Sequence, residues 1–421
     1  MTRRRSAWIV AAAVCVLTGS CGSTTPQQIT LTIATFGQFG YEDLLAAYRF
    51  NHPGITIRQE RADQGGPYHQ DLLTKLKTGQ GLADIQAVEE GHLADVLAES
   101  AKFNDLARIG PREVRPERWL PWKYEAGRTK DGKLIGYGTD IGPLAMCYRK
   151  DLLQAAGLPT DPGSVKAMFA TWDSYFRAGE GYVRRSKGKP WFDSAPQTFN
   201  AMVNQLPVGY LDTENHSTLE TNTAIKAAWN KITAAVAQGQ SAGLTAFADD
   251  ENNGLRLGGF ATKVCPSWML GVIEKEAGLD NAGKWAIVDA FPDGGGNWGG
   301  SYLTVPQASA HPKEAAELAA WLTAPEQQLT AFRISGNFPS QVAALESPDL
   351  LSEQNSYFGG ALFGQVFVAQ ARKVAKPQYK GPGDGQIQES VVAPALNSVE
   401  HGADPDAAWQ QVLLGVHRIV P

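Results

Sequence analysis

"ITLTIATF", residues 29–36, alternates Ile29, Leu31 and Ile33 onto one face, the period-2 signature of a half-buried strand. "YEDLLAAYRFNHPG" (41–54) switches period. Tyr41, Leu44, Leu45 and Tyr48 recur at helical spacing and stop at His52-Pro53-Gly54. "ITIRQE" (55–60) is a second strand, "YHQDLLTKLKTG" (68–79) a helix ended by Gly79, and "ADIQAVE" (83–89) a third strand. This β-α-β-α-β order predicts a parallel-type sheet flanked by helices, an α/β fold. Ligands of such sheets sit beyond the carboxyl ends of the strands.

Downstream, "KLIGYGTDIGPLAMCYRKDLLQAAGLP" (133–159) reads as strand, loop, strand, helix. "TWDSYFRAGEGYVRR" (171–185) predicts a helix with Thr171 as N-cap, and 224–238 predicts another. "KVCPSWMLGVIEKEAG" (263–278) is a strand end followed by a helix. "WAIVDAF" (285–291) and "SYLTVP" (301–306) are strands flanking the glycine-rich "GGGNWGG" (294–300). "HPKEAAELAAWLTAPEQQLTAF" (311–332) is two helices broken near Thr323–Pro325. No repeat or low-complexity segment interrupts the pattern.

The 421 residues exceed one ordinary domain, and 43% hydrophobic with 19% charged residues is the composition of a folded chain. A net charge of −5 argues against nucleic acid or an anionic membrane as the main partner. The N-terminus differs from the rest. Arg3, Arg4 and Arg5 precede "AWIVAAAVCVL" (7–17), an apolar run too short for a spanning helix. Residues 1–20 read as an export signal. "LTGSCGS" (17–23) resembles the lipobox of bacterial lipoproteins, with Cys21 as the lipidated residue and 21–28 as a polar tether; a simple cleaved signal is the alternative. Cys15 leaves with the signal. Cys147 and Cys265 remain in an oxidising compartment and are expected to pair, the alternative being two buried thiols.

Several chemical motifs fail on context. Gly294, Gly296 and Gly299 form a G-x-G-x-x-G, but a strand pattern follows where a dinucleotide fingerprint needs a helix. "GLDNAGKW" (278–285) has a phosphate-loop spacing, but Trp285 stands where Ser or Thr must reach the metal. The sequence holds no G-x-S-x-G elbow and no H-E-x-x-H, and its histidines lack metal-ligand spacing. Nothing marks a pair of glycosidase carboxylates. The reading is therefore a non-enzyme without cofactor or metal. A secreted carbohydrate-active hydrolase stays open as the alternative.

In order along the chain, "NHPGITI", "GLADIQAVEEG", "DIGPLAMCYRKDLLQAAGLP", "FDSAPQTFNA", "CPSWMLGVI", "GGGNWGGSYLTVP", "HPKEAAELAAWLTAPEQQ" and "SGNFPS" resemble the extracellular solute-binding proteins (family 1) of ABC sugar importers. That family includes maltodextrin-binding proteins and actinobacterial lipoproteins for oligosaccharides of the cellobiose type. The resemblance implies a two-lobed, periplasmic-binding-protein-like fold (type II) with the ligand cleft between the lobes. Lobe one is expected at 29–139 plus 299–340, lobe two at 140–298 plus 341–421. "GTDIGP", "GGGNWGG" and "SGNFPS" are the expected crossovers. It also implies a monomer, anchored by lipid at the outer face of the membrane, that binds carbohydrate and delivers it to permease subunits. The same fold can bind a polyol phosphate or a peptide, but phosphate favours a basic pocket, and the candidates here are acidic and aromatic.

A sugar offers hydroxyls and a few apolar faces, so its site needs planar polar groups and flat rings. Trp298, inside the glycine loop, is the expected stacking ring, with Asn297 and Ser301 beside it. Asp140 lies on a crossover. Glu89 and Glu90 end a strand and point to opposite faces, with Glu89 preferred for the cleft. Asp193 and Trp268 are the candidates from lobe two. Phe36, Gln38 and Tyr41 are weaker ones. For Trp298 and Trp268 core packing is the competing reading, for Asp140 a turn cap, and for the glutamates a surface pair.

Overall fold

Alternation builds two sheets, and the computed structural model describes residues 28–374 and 378–420 of the chain. The expected signal segment and Cys21 lie outside the described residues. The first sheet has the order β2-β1-β3-β9-β4, from β1 (Ile29–Phe36), β2 (Ile55–Ala62), β3 (Ile85–Glu89), β4 (Gly136–Gly138) and β9 (Ser301–Thr304). The second is β7-β6-β8, from β6 (Leu144–Arg149), β7 (Thr262–Pro266) and β8 (Trp285–Val288). A short antiparallel pair joins β5 (Asp140–Ile141) to β10 (Phe338–Pro339).

β1 runs parallel to β2 and to β3, as the β-α-β-α-β pattern predicts. β3 is buried on both faces: Ile85 and Ala87 face one core cluster with Leu31 and Ile33, and Val88 faces another with Leu72 and Leu76. The helices on this sheet come where 3.6-residue spacing puts them, at Glu42–Asn51, Gly65–Thr78, Pro312–Leu322 and Pro325–Ser335. On the second sheet, Thr171 caps the helix Trp172–Arg185 in a reciprocal capping box with Ser174.

The first sheet is mixed, and the second is antiparallel throughout. β9 is antiparallel to β3 and β4, and β6 is antiparallel to β7 and β8. The cause is the direction of entry. Ser301 at the start of β9 pairs with Glu89 at the end of β3, and Leu144 at the start of β6 pairs with Pro266 at the end of β7. Each of these two strands arrives from the segment outside the carboxyl ends of its sheet and so runs against its neighbours. The "WAIVDAF" and "SYLTVP" strands therefore fall in different sheets.

Cys147 and Cys265 form a disulfide with Cα atoms 5.5 Å apart. They lie on neighbouring strands and share one buried face of the second sheet with Trp285 and Ile287. Among the described residues no helix is long and apolar enough to cross a membrane.

Candidate functional site

Two chain segments between the sheets lie against each other. Trp298 N–H donates to Gly142 O (2.8 Å), and Leu144 N–H donates to Gly296 O (3.0 Å). This approach needs glycine: a Cβ on Gly142 would stand 1.8 Å from Trp298 O. Gly300, at φ +98°, would put a Cβ 2.5 Å from Asp140 O.

Beside these segments lies a cavity of about 90 Å³. Glu89 and His92 line it from the end of β3, and Trp298 from the glycine loop. Asn200 and Asn204 enter from the end of the helix Ala195–Val203. Tyr210, Lys380, Asp384, Gln388 and Glu389 complete it. Gln388 and Glu389 sit in a π-turn, Gln388–Val392, a rare distortion that recurs at functional positions. A second, larger groove of about 730 Å³ shares Gln378 and Lys380 with this cavity and adds Glu90, Trp122, Arg128 and Asn215. Lys380 Nζ lies 3.4 Å from Glu90 Oε1, both side chains nearly buried, so this ion pair stands between the two spaces.

Of the residues expected from sequence, Glu89 and Trp298 meet at the cavity. Glu89 also caps the turn after β3 by accepting from Gly91 N–H (2.7 Å). Its own N–H donates to His69 Nε2 (2.9 Å), and His69 in turn stacks on His92 (4.2 Å between ring centres). Burial raises the Glu89 carboxyl above the usual range, opposed by His92 and Lys380. Glu90 turns the other way, to Lys380 and the amide of Asn297. Trp268 meets Trp298 edge-to-face (6.0 Å, 88°) and donates from Nε1 to Trp298 O (3.1 Å).

The other candidates are spent on structure. Asn297 Oδ1 accepts from Gly142 N–H (2.9 Å), and its amide donates to Gly299 O (2.9 Å). Asp140 Oδ1 accepts from Ser301 N–H (2.9 Å) and Thr139 Oγ1 (2.5 Å). Asn297, Asp140 and Ser301 are buried and tie the segments together, away from the cavity surface. Asp140 instead borders a separate space of about 10 Å³ with Phe39 and Tyr41. Burial lifts its carboxyl, against the opposing charge of Lys123. Gln38 turns to Arg61, and Phe36 packs edge-on against His69.

Asp193, expected to orient a ligand, lies apart from the cavity, inside the core of the second sheet. Its side chain is 1% exposed and paired with Lys263, which also binds Glu251 Oε1 (2.6 Å). Glu251 accepts from Gln197 Nε2 as well (2.7 Å). Burial works against the lysine's charge, but Asp193 and Glu251 more than offset it and hold Lys263 above its usual range. One Asp193 oxygen is taken by Lys263, the other is buried without a partner, and the residue does not line the cavity.

The residues that sequence reading missed come mostly from one helix end and the C-terminal segment. Asn200 and Asn204 are four apart, as are Asp384 and Gln388, a spacing that puts helical neighbours on one face and was the available signal; Lys380 lies in the segment before that helix. Asp384 is 4% exposed, its Oδ2 accepts from Tyr210 N–H (3.2 Å), and its Oδ1 has no partner. Burial pushes this carboxyl up to about 7. No group of three or more potential metal ligands occurs among the described residues.

Residues 43–355 match the bacterial extracellular solute-binding protein family. Over 283 residues the chain is 30% identical to the arabinooligosaccharide-binding protein of Bacillus subtilis (strain 168), covering 62% of this chain and 60% of that relative's length. A crystal structure of an extracellular solute-binding protein family 1 member is 46% identical, with a TM-score of 0.86 over 93% of this chain and 99% of the other. An ABC-transporter-associated binding protein from B. animalis subsp. lactis Bl-04, in complex with β-1,6-galactobiose, shares the fold at 18% identity. Its TM-score is 0.76, over 92% of this chain and 97% of that one.

Proposed function

The chain belongs to the bacterial extracellular solute-binding protein family, and on that premise we propose that it captures a di- or oligosaccharide and delivers it to the permease of an ABC importer. It does no chemistry on the sugar. It works as a monomer whose two lobes, 29–139 plus 299–340 and 140–298 plus 341–421, close on the ligand. The observation that carries the reading is the cavity itself, where the half-buried Trp298 ring meets Glu89, Asn200, Asn204 and Asp384. An apolar ring among planar acceptors and amide donors suits the C–H faces and hydroxyls of a sugar. The acidic balance of the lining disfavours a phosphate.

The relative from Bacillus subtilis makes arabinooligosaccharides the first probes, followed by lactose, cellobiose and maltodextrins. A sugar present at 100 times its dissociation constant adds about 2.7 kcal/mol of stability, a readable rise in melting temperature. If no carbohydrate in the panel raises it, the proposal fails. Lipid on Cys21 holds the protein at the outer face of the membrane in this reading. Cys21→Ala, expressed in a host that processes lipoproteins, should then leave the membrane fraction; unchanged fractionation would refute the anchor.

A further inference from the structure

Four described residues other than glycine take a left-handed backbone: Lys187, Asn215, Phe247 and Asp293. Phe247, at φ 58°, is the one among them with a large apolar side chain, for which this conformation is a true outlier. Core burial does not explain it, because the residue is 58% exposed. The conformation is nevertheless fixed. Phe247 N–H donates to Glu251 Oε2 (2.7 Å), and Glu251 Oε1 is held by Lys263 and Gln197 inside the second sheet's core. A buried ion cluster thus pins the backbone of an exposed ring.

The ring has a definite direction. It lies against Trp268 (6.0 Å between centres, 36° between planes), and Trp268 meets Trp298, whose ring lines the cavity. Phe247, Trp268 and Trp298 form a run of rings from the surface to the cavity. Backbone outliers held by their surroundings concentrate where a ligand is clamped.

We propose that Phe247 is the outer aromatic wall of the binding site, stacking on the C–H face of a sugar unit beyond the one that meets Trp298. The ligand is then an oligosaccharide that leaves the cavity past Trp268. This inference rests on the carbohydrate reading above. It also gives Asp193 a positioning role, exerted through Lys263 and Glu251.

The experiment compares wild type, Phe247→Tyr and Phe247→Leu by titration calorimetry against arabinobiose, arabinotetraose, lactose and maltotetraose, with a melting curve for each ligand-free protein. The expected result is that the wild type binds a tetrasaccharide and Phe247→Tyr stays within about 3-fold of it, while Phe247→Leu binds it about 10-fold or more weakly with an unchanged melting temperature. The disaccharides should lose less. Equal tetrasaccharide affinity in Phe247→Leu and wild type overturns the inference, as does a lowered melting temperature with binding retained, which would make the ring structural. Binding of none of the four sugars by the wild type removes the carbohydrate reading and this inference with it. Binding by the wild type with no aromatic dependence at 247 removes the inference alone.

Discussion

Lys263→Met deletes one charge from a cluster that water does not reach. The side chains of Lys263, Asp193 and Glu251 are each 1% exposed. Methionine keeps much of the lysine's apolar volume, so the change isolates the charge. Two carboxylates remain buried without a cation. Breaking a buried pair in this way costs about 3–5 kcal/mol. At roughly 2–4 °C per kcal/mol for domains of this size, the melting temperature should fall by about 6–20 °C. The deficit depends on pH. In the variant, burial and mutual repulsion raise the folded-state pKa values of the two acids above their unfolded values. Such a group contributes its stability at low pH and loses it as pH rises through the folded pKa. The deficit against wild type is therefore smallest at about pH 4 and largest above about pH 7. Urea unfolding followed by circular dichroism at both pH values measures it. A deficit under about 1 kcal/mol at both, or one that deepens in acid, would show that the cluster does not stabilise the second sheet as described.

Trp298→Ala should weaken binding of the best sugar by about 10-fold or more, roughly 1.4 kcal/mol, while the ligand-free melting temperature changes little; normal binding with early melting would assign the ring to the core. Reducing Cys147–Cys265 opens a link between residues 118 apart and should cost about 4–5 kcal/mol in the chain-entropy model, read as a drop in urea midpoint; an unchanged midpoint refutes that role. Asp384, held up to about 7 by burial, contributes stability in acid that is lost as pH rises toward that value. Asp384→Asn has no such titration, so its stability relative to wild type should increase between about pH 4 and pH 7, and a flat difference across that range refutes the assignment.

The first sheet was legible because each element carries its own period. Ile29, Leu31 and Ile33 alternate, Leu72 and Leu76 repeat at helical spacing, and both patterns are local. Alternation alone did not place β9. Ser301–Thr304 reads as a strand, but its period does not say which sheet it joins; only the family resemblance grouped 299–340 with 29–139. Its place follows from pairing with Glu89, some 200 residues earlier in the chain. The same limit applies to Asp193. Its neighbours in sequence suggest a cleft, and the lysine that pairs with it, Lys263, is 70 positions away. The cysteine pairing was within reach because two thiols leave one possible bond. The cavity's C-terminal side was not read, since the contributions of Lys380, Asp384 and Gln388 rest on a turn that no apolar period announces.

The polar residues divide by what their atoms already hold. Asp140 and Asn297 lie on the two touching segments, yet their oxygens accept from Ser301 and Gly142 backbone groups. Pulling either toward a ligand would leave a buried N–H without a partner, at about 1–3 kcal/mol. Asp384 is the contrasting case. One oxygen anchors Tyr210 N–H, and the other is buried without a partner, in a residue that lines the cavity. A hydroxyl meeting that oxygen disrupts nothing already formed. Asp140 and Asn297 thus fix the segment that carries Trp298, whereas Asp384 keeps one oxygen uncommitted.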